Sequence, residues 1–306
     1  MYKPIIVILV ACLCSVVDVF GQNISKDNGL LFNEALLLQH VKTLSSDAFE
    51  GRRTGTKGAM KTKEYIINQF HTLKVLPIKE TYEQPFSFVK GKKVFDGVNI
   101  LGKIKGSVFP DKYIVISAHY DHEGIKRGNI YNGADDNASG VGALFSIAEY
   151  LKNNPPKHSI ILAAFDAEEL ELQGSKHFVH HPFVPLNKIK VNINMDMISR
   201  SDNKELFVVG SRYNKSLEHI IRNAVSVNKI KLSVGYDGTK RGENWIYSSD
   251  HAWFHRKGIP FLYFGVVDHE DYHEPTDDYE NIQPAFYIEA VKVIISVLDK
   301  VDRSTF

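Results

Sequence analysis

The sequence predicts an α/β fold of three layers, with helices on both faces of a central mixed, largely parallel sheet. Short apolar strands alternate with amphipathic helices along most of the 306 residues. The run Tyr113-Ile114-Val115-Ile116 is apolar at every position, which is typical of a strand covered on both faces. No internal repeat or linker divides the chain, so one domain is expected.

Each element is predicted from its own pattern. In the second helix, Tyr65, Ile66 and Phe70 fall on one face, as expected for an amphipathic helix against a core. The predicted helices cover residues 33–44, 57–73, 138–152, a short stretch after 173, 215–227 and 284–298. The predicted strands cover residues 86–89, 97–104, 113–118, 159–165, 190–195, 206–209 and 261–264.

Charge and hydropathy exclude some functional classes. Lys and Arg total 37 against 36 Asp and Glu, so no basic surface for a nucleic acid is indicated. Beyond the N-terminus, no apolar run approaches the about 20 residues of a membrane-spanning helix. The chain is therefore expected to have no nucleic-acid partner and no stable membrane span.

The N-terminus has the pattern of a secretory signal. Lys3 precedes an apolar run over 5–17, and Val19-Phe20-Gly21 resembles a cleavage site, so residues 1–21 are predicted to be a signal peptide. The mature domain is then 22–306, exported to the periplasm or the extracellular space. Lipoprotein processing at Cys12 is the alternative, but residues 13–20 are more apolar than a lipoprotein tether. Both cysteines lie in this leader, so no disulfide is expected in the mature chain.

Five polar clusters follow or adjoin predicted strands. In open α/β sheets, ligands bind outside the carboxyl ends of the strands, so these clusters are expected to converge. They are His119-Tyr120-Asp121, the turn 132–140 containing Asp135 and Asp136, Asp166-Ala167-Glu168-Glu169, Asn194-Met195-Asp196, and Tyr272-His273.

Most of these clusters also have a purely structural explanation. Asp135 and Asp136 suit the cap of the following helix, and carboxylates such as Glu168 and Glu169 favour a helix start. Asp196 is harder to explain in that way. It lies within an apolar run, where burying an unpaired carboxylate is costly.

The candidate donors are imidazoles and carboxylates, without cysteine, and this combination suits zinc. Five ligands of these kinds are too many for one catalytic zinc ion, but they fit two zinc ions that share one carboxylate. Spacing alone does not separate His273 from His251, His255 and His269 as the last ligand.

The motifs SAHYDH, NGADDNASG, FDAEELELQGS, NINMDMI and DYHEPTDDYENI resemble, in this order, those of the co-catalytic zinc aminopeptidases. That family includes bacterial secreted aminopeptidases, glutamate carboxypeptidase and glutaminyl cyclase. The earlier stretch LSSDAFEGRRTGTKG is similar to the segment before the catalytic domain in bacterial members. The resemblance covers nearly all of the mature chain and implies a zinc-peptidase fold.

The resemblance also implies a role for each matching residue. Two Zn²⁺ ions would be bound by five side chains: His119 and Asp196 on one ion, Glu169 and His273 on the other, and Asp136 between both. Glu168 would be the general base, Asp121 would orient His119, and Tyr272 would hydrogen-bond the developing oxyanion.

The implied function is an aminopeptidase that acts, as a monomer, on peptides with a free N-terminus. A single-zinc glutaminyl-peptide cyclotransferase is the enzymatic alternative, and a metal-free binding module of the same fold is the non-enzymatic one. The small-residue DNASG turn and the NMDMI run favour the aminopeptidase, and the presence of every expected ligand type disfavours the inert module.

Overall fold

The computed structural model describes residues 31–224, 229–238 and 243–304. The predicted signal peptide, both cysteines and the predicted domain boundary at residue 22 lie outside these ranges. From Leu31 on, the described residues belong to one unit. None of its helices combines the length and the apolar character that crossing a bilayer requires.

Seven α-helices form within the described ranges. Their ends follow local capping rules: the Asn33 side chain accepts the amide hydrogen of Leu36 at the first helix, and Pro284 opens the last one. The helices are α1 (Glu34–Leu44), α2 (Lys57–Thr72), α3 (Gly140–Asn153), α4 (Gln173–His180), α5 (Lys215–Ala224), α6 (His251–Arg256) and α7 (Pro284–Arg303).

The described strands form a nine-stranded sheet and a separate two-stranded hairpin. They are β1 (Leu76–Pro77), β2 (Glu83–Lys90), β3 (Lys93–Ile104), β4 (Phe109–His119), β5 (Gly124–Lys126), β6 (Asn129–Tyr131), β7 (His158–Phe165), β8 (Ile189–Met195), β9 (Glu205–Val209), β10 (Lys231–Val234) and β11 (Phe261–Gly265). The large sheet has the order β1-β3-β7-β4-β8-β11-β9-β10, with β2 paired to β3, and β5 pairs with β6.

Side chains alternate across the sheet and define two helical layers. Ile114 and Ile116 of β4 face the main core, which contains residues of α1, α3 and α7. Val115 faces a second core with Phe178 of α4 and Phe254 of α6. The predicted three-layer α/β arrangement is confirmed.

The four central strands, β7, β4, β8 and β11, run parallel, whereas β3 and β9 pair antiparallel on either side of them. The carboxyl ends of the central strands therefore meet at one edge. His119 ends β4, Asp166 follows β7, Asp196 follows β8, and the loop after β11 leads to His273. This topology brings the polar clusters to one place.

Several short elements were not predicted from the sequence: β1, the β5–β6 hairpin, β10 and α6. They contain two to six residues each. Segments of this length carry too few residues to show a periodicity. Pairing with a neighbouring strand stabilises the strands among them, and the packing of Phe254 in the second core stabilises α6.

Candidate active site

The predicted ligand residues converge on Asp136, and its two carboxylate oxygens face different groups. His119 Nε2 lies 3.2 Å from Asp136 Oδ1 and 3.1 Å from Asp196 Oδ1. On the other side, His273 Nε2 lies 3.2 Å from Asp136 Oδ2 and 3.2 Å from Glu169 Oε2. One carboxylate is thus shared between two sets of donors.

These donors fit metal cations. Donor atoms of His119, Asp136 and Asp196 all lie within 4.8 Å of one another, and Asp136 also belongs to a second such group with Glu169. Asp136 and Asp196 are buried, and close carboxylates away from water repel each other unless a cation lies between them. Oxygen and nitrogen donors without sulfur are a set that zinc accepts.

His122 completes the second group and was missed by the sequence interpretation. This histidine is fully buried, with Nδ1 3.0 Å from Glu169 Oε1 and 3.6 Å from Asp136 Oδ2. Gly133 makes room for it. A β-carbon at position 133, where φ is +58°, would overlap the His122 ring and the carbonyl oxygen of Asp136.

The turn that holds Asp136 is anchored by its main chain and does not act as a helix cap. Asp277 accepts the amide hydrogens of Asp135 and Asp136 through its two oxygens, at 2.8 and 3.0 Å. The Asp135 carboxylate accepts from the amide and hydroxyl of Ser199, both at 2.7 Å, and lies 3.0 Å from His269 Nε2. Asp135 therefore joins the loops that follow β8 and β11, and it is not among the donors.

The three histidines that competed with His273 as the last ligand make other contacts. His269 pairs with Asp135, and His251 is buried with its ring stacked at 4.4 Å on Tyr263 while its Nε2 bonds the carbonyl of Trp245. His255 lies at the end of α6, 5.1 Å from the ring of Tyr213. Only tertiary structure separates His273 from these residues.

Asp121 contacts His119 in a different way from the one expected. The His119 Nδ1 bonds the main-chain carbonyl of Asp121 at 3.1 Å, and the nearer carboxylate oxygen is 3.7 Å away. That carboxylate accepts the amide hydrogens of Glu168 at 3.0 Å and Glu169 at 3.3 Å. Its side chain therefore fixes the acidic pair, and its carbonyl orients the histidine.

Glu168 lines the same cleft as Asp136 and Asp196. Burial raises the pKa of Glu168 well above its usual range, and the negative charges of Asp196 and Glu169 add to the shift, while His119 opposes it. Glu168 is therefore a buried carboxyl group beside the donors, where it can exchange a proton with a group bound in the cleft.

The cleft has a volume of about 310 Å³ and two phenol groups line it. The ring of Tyr272 stacks on His273 at 4.0 Å. Tyr263, from β11, lines the same cleft and was not singled out in the sequence. The segment between Tyr236 and Trp253 contributes Glu243, Asn244, Trp245 and Ser248 to the wall.

Arg52 is a second feature that the sequence interpretation missed. Its guanidinium is fully buried, and it donates only to main-chain carbonyls in the hydrogen bonds observed. The acceptors are Tyr120 and Leu44 at 2.9 Å, Gly133 at 2.8 Å, Asp136 at 3.5 Å, and Asn132. Burial lowers the pKa of Arg52 to about 10, against the opposing charges of Asp277 and Asp136, so it stays protonated at neutral pH.

We expect Arg52→Met to lower the free energy of unfolding by about 3–5 kcal/mol, because several buried carbonyls lose their donor at once. Urea denaturation monitored by circular dichroism measures the free energy of unfolding. Arg53→Met is the matched control: Arg53 is partly exposed and pairs with Glu123 at 3.2 Å, so its loss should cost less than about 1 kcal/mol. Equal losses in both variants would contradict the structural role of Arg52.

Comparison with known proteins gives consistent results. Aminopeptidase YwaD of Bacillus subtilis is 34% identical over 197 residues, which is 60% of this chain and 40% of that protein. The chain thus spans less than half of this relative. The crystal structure of BSAP, a zinc aminopeptidase from Bacillus subtilis, has a TM-score of 0.71 at 20% identity, covering 87% of this chain and 95% of that one.

Porphyromonas gingivalis glutaminyl cyclase is equally similar in fold, with a TM-score of 0.71 at 18% identity over 88% of this chain and 98% of that one. At these identities the structures establish the shared fold alone. The family model is more specific. It matches residues 99–298, a segment that includes both donor groups around Asp136 and the Glu168 beside them, and the model is that of Peptidase family M28. The chain belongs to peptidase family M28.

Proposed function

We propose that the protein is a zinc-dependent aminopeptidase, which removes N-terminal residues from peptides that have a free α-amine. The observation that carries the proposal is the position of Asp136. Its Oδ1 faces His119, its Oδ2 faces His273, and Glu168 lines the same cleft. Two zinc ions on either side of one shared carboxylate fit this arrangement.

The ligands divide between the two sides as the donor distances indicate. His119 and Asp196 would hold a first zinc ion, Glu169 and His273 would hold a second, and Asp136 would contribute to both sets. His122 lies close enough to Glu169 to join or to orient the second set. When bound, such ions polarise the scissile carbonyl and acidify water.

Side chains of the protein accept and donate the protons in the reaction. The Glu168 carboxylate accepts a proton from the attacking water and returns it to the amine that leaves. The Asp121 carboxylate holds the amide groups of Glu168 and Glu169, and so keeps base and ligand in fixed relative positions. Tyr272, which stacks on His273 and lines the cleft, would donate a hydrogen bond from its hydroxyl to the developing oxyanion.

The similarity to an aminopeptidase from Bacillus subtilis and to the structure of a zinc aminopeptidase supports hydrolysis. Glutaminyl cyclisation is the second candidate, because a cyclase shares the fold with the same TM-score. The two donor groups around Asp136 favour the peptidase, since the resemblance described above associates cyclases with one zinc ion.

The test uses one zinc-loaded sample and three substrates. We expect turnover of leucyl-p-nitroanilide, no turnover of its N-acetylated form, and no cyclisation of an N-terminal glutaminyl peptide. A chelator should abolish the activity, and added Zn²⁺ should restore it. Cyclisation of the glutaminyl peptide without hydrolysis of the anilide would reverse the assignment.

A further inference from the structure

The segment 47–54, hereafter the clasp, contacts the active site although it lies before residues 99–298, which the family model matches. It consists of a short 3₁₀ helix, Asp47–Arg52, and the two residues after it. Arg52 and Thr54 are only 1% and 3% exposed. Burying polar side chains is costly unless they form hydrogen bonds, so the partners of these two residues indicate what the clasp does.

The main chain of the clasp is constrained. Glu50, Gly51 and Arg52 have φ angles of +52°, +63° and +53°, in the left-handed region that non-glycine residues rarely adopt. Gly51 also packs closely against the β5–β6 hairpin, where a β-carbon would overlap the Tyr131 carbonyl and Gly124. Left-handed residues persist where the surrounding contacts determine them, and they are frequent at functional sites. The clasp is therefore held in one conformation against the hairpin.

Arg52 holds the turn that carries Asp136. Its guanidinium donates to the main-chain carbonyls of Gly133 at 2.8 Å, of Asp136 at 3.5 Å and of Asn132. Asp277 holds the same turn through its amides, since it accepts the amide hydrogen of Asp136 at 3.0 Å. Both the carbonyl and the amide groups of the turn thus have fixed partners, and the position of the Asp136 carboxylate follows from them.

Thr54 contacts the carboxylate that holds the acidic pair. Its hydroxyl oxygen lies 2.8 Å from Asp166 Oδ1, to which it donates, and 3.4 Å from Asp121 Oδ2. The Asp121 carboxylate accepts the main-chain amides of Glu168 and Glu169. A hydroxyl between two buried carboxylates reduces their repulsion and keeps both in place. The position of Glu168 therefore depends on Thr54 through Asp121.

We propose that the clasp positions the two parts of the active site separately. Arg52 determines the affinity for zinc through the turn of Asp136, and Thr54 determines turnover through the position of Glu168. Within the described part of the chain, neither residue lines the cleft or belongs to a donor group, so both are positioning residues. The role of Thr54 rests on the proposed aminopeptidase function, whereas the role of Arg52 is measurable without a substrate.

Arg52→Lys tests the first part. Lysine keeps the positive charge, but its single ammonium does not reproduce the planar set of donors that guanidinium offers to several carbonyls. We expect the Kd for Zn²⁺ to rise about tenfold, as is usual when a group that supports a metal ligand is changed. Competition of the metal-free protein with a chromogenic chelator measures the Kd, and circular dichroism verifies folding.

Two further variants make this measurement specific. Arg53→Lys is the matched control, because Arg53 donates to the carbonyl and carboxylate of Glu123 at 3.2 Å, outside the proposed ligand set, and it should keep the wild-type Kd. Asp47 of the clasp is exposed and accepts a hydrogen bond from the Asn132 side chain at 2.9 Å. Asp47→Ala should raise the Kd about threefold without a risk to folding.

Thr54→Val tests the second part. Valine has nearly the shape of threonine but lacks the hydroxyl, so the support of Asp121 is lost. We expect kcat on leucyl-p-nitroanilide to fall about tenfold with KM and zinc Kd unchanged, because a small displacement of a catalytic group affects mainly the transition state. Thr54→Ser retains the hydroxyl and should restore kcat. Thr62→Val is the matched control: Thr62 is equally buried, but its hydroxyl bonds the Gly58 carbonyl within α2.

The outcomes separate the inference from the proposed function. A wild-type Kd in folded Arg52→Lys, or in Asp47→Ala if Arg52→Lys does not fold, would overturn the role of Arg52. Parallel changes of Kd and kcat in Arg52→Lys and Thr54→Val would show that the clasp affects overall stability alone, and would overturn the inference. Absence of wild-type turnover would refute the proposed function together with the role of Thr54, while a raised Kd in Arg52→Lys would still support the role of Arg52.

Discussion

Glu168→Gln is expected to lower kcat by roughly 10²–10⁴-fold, with zinc content and folding preserved. The amide has nearly the shape of the carboxylate, but it cannot accept the proton of the attacking water. Glu168 is not part of either donor group, and its main-chain amide would keep its bond to Asp121. The kcat is measured with leucyl-p-nitroanilide, and the zinc content of the same sample is measured by atomic absorption.

Glu171→Gln is the matched control for this variant. Glu171 lies three residues further along the chain, its side chain is 74% exposed, and it pairs with Lys90. It should retain wild-type turnover. If Glu168→Gln kept more than about a tenth of the wild-type kcat, the general-base role would be wrong, since such bases typically contribute far more.

Asp136→Ala is expected to lose both metal ions and all measurable activity. Among the described residues, Asp136 is the member common to both donor groups around it, so each side loses a ligand at once. The buried site also loses one negative charge, which weakens its affinity for cations further. Zinc content after dialysis, together with circular dichroism to verify folding, measures the effect.

Asp202→Ala removes an exposed aspartate that is not a donor, and it should retain full zinc content and activity. If Asp136→Ala kept close to two zinc ions per chain while folded, Asp136 would not be shared between them. Retention of one ion would mean that one donor group is sufficient without it.

The sheet and the donor clusters were predictable because both depend on local pattern. Apolar runs such as 113–116 define central strands, and polar residues directly after them lie at the carboxyl edge of a parallel sheet. Asp196 was the strongest single indication, since it lies within an apolar run of the sequence, and the structure shows it buried directly after β8. The structure places it 3.1 Å from His119, as the convergence of strand ends requires.

Other parts of the site depend on contacts between distant positions, which local sequence does not encode. Arg52 bonds the carbonyls of Tyr120 and of the donor turn, at Asn132 and Asp136, which lie 68 to 84 residues further along the chain. His122 is positioned by the close approach of Gly133, and nothing in its neighbourhood distinguishes it from other loop histidines. The family match begins at residue 99, so Arg52 lies in a segment before that match and still contacts the site.

The role of Asp121 is a third feature that depends on the fold. The resemblance implied that Asp121 orients His119, but the Asp121 carboxylate accepts hydrogen bonds from two main-chain amides in the acidic pair after β7. A carboxylate that accepts two main-chain hydrogen bonds is held by them, and the carbonyl of the same residue is left to contact His119. Sequence identifies the residue, whereas the choice between its two oxygen-bearing groups requires the fold.

The central claim is that one carboxylate lies between two zinc ions, and anomalous diffraction at the zinc edge tests it most directly. The account predicts two peaks about 3.5–4 Å apart, the spacing usual in two-metal hydrolases, aminopeptidases among them. Each peak should lie about 2.0–2.2 Å from one oxygen of Asp136, the first also close to His119 and the second close to His273. A single peak, or two peaks without Asp136 between them, would contradict it.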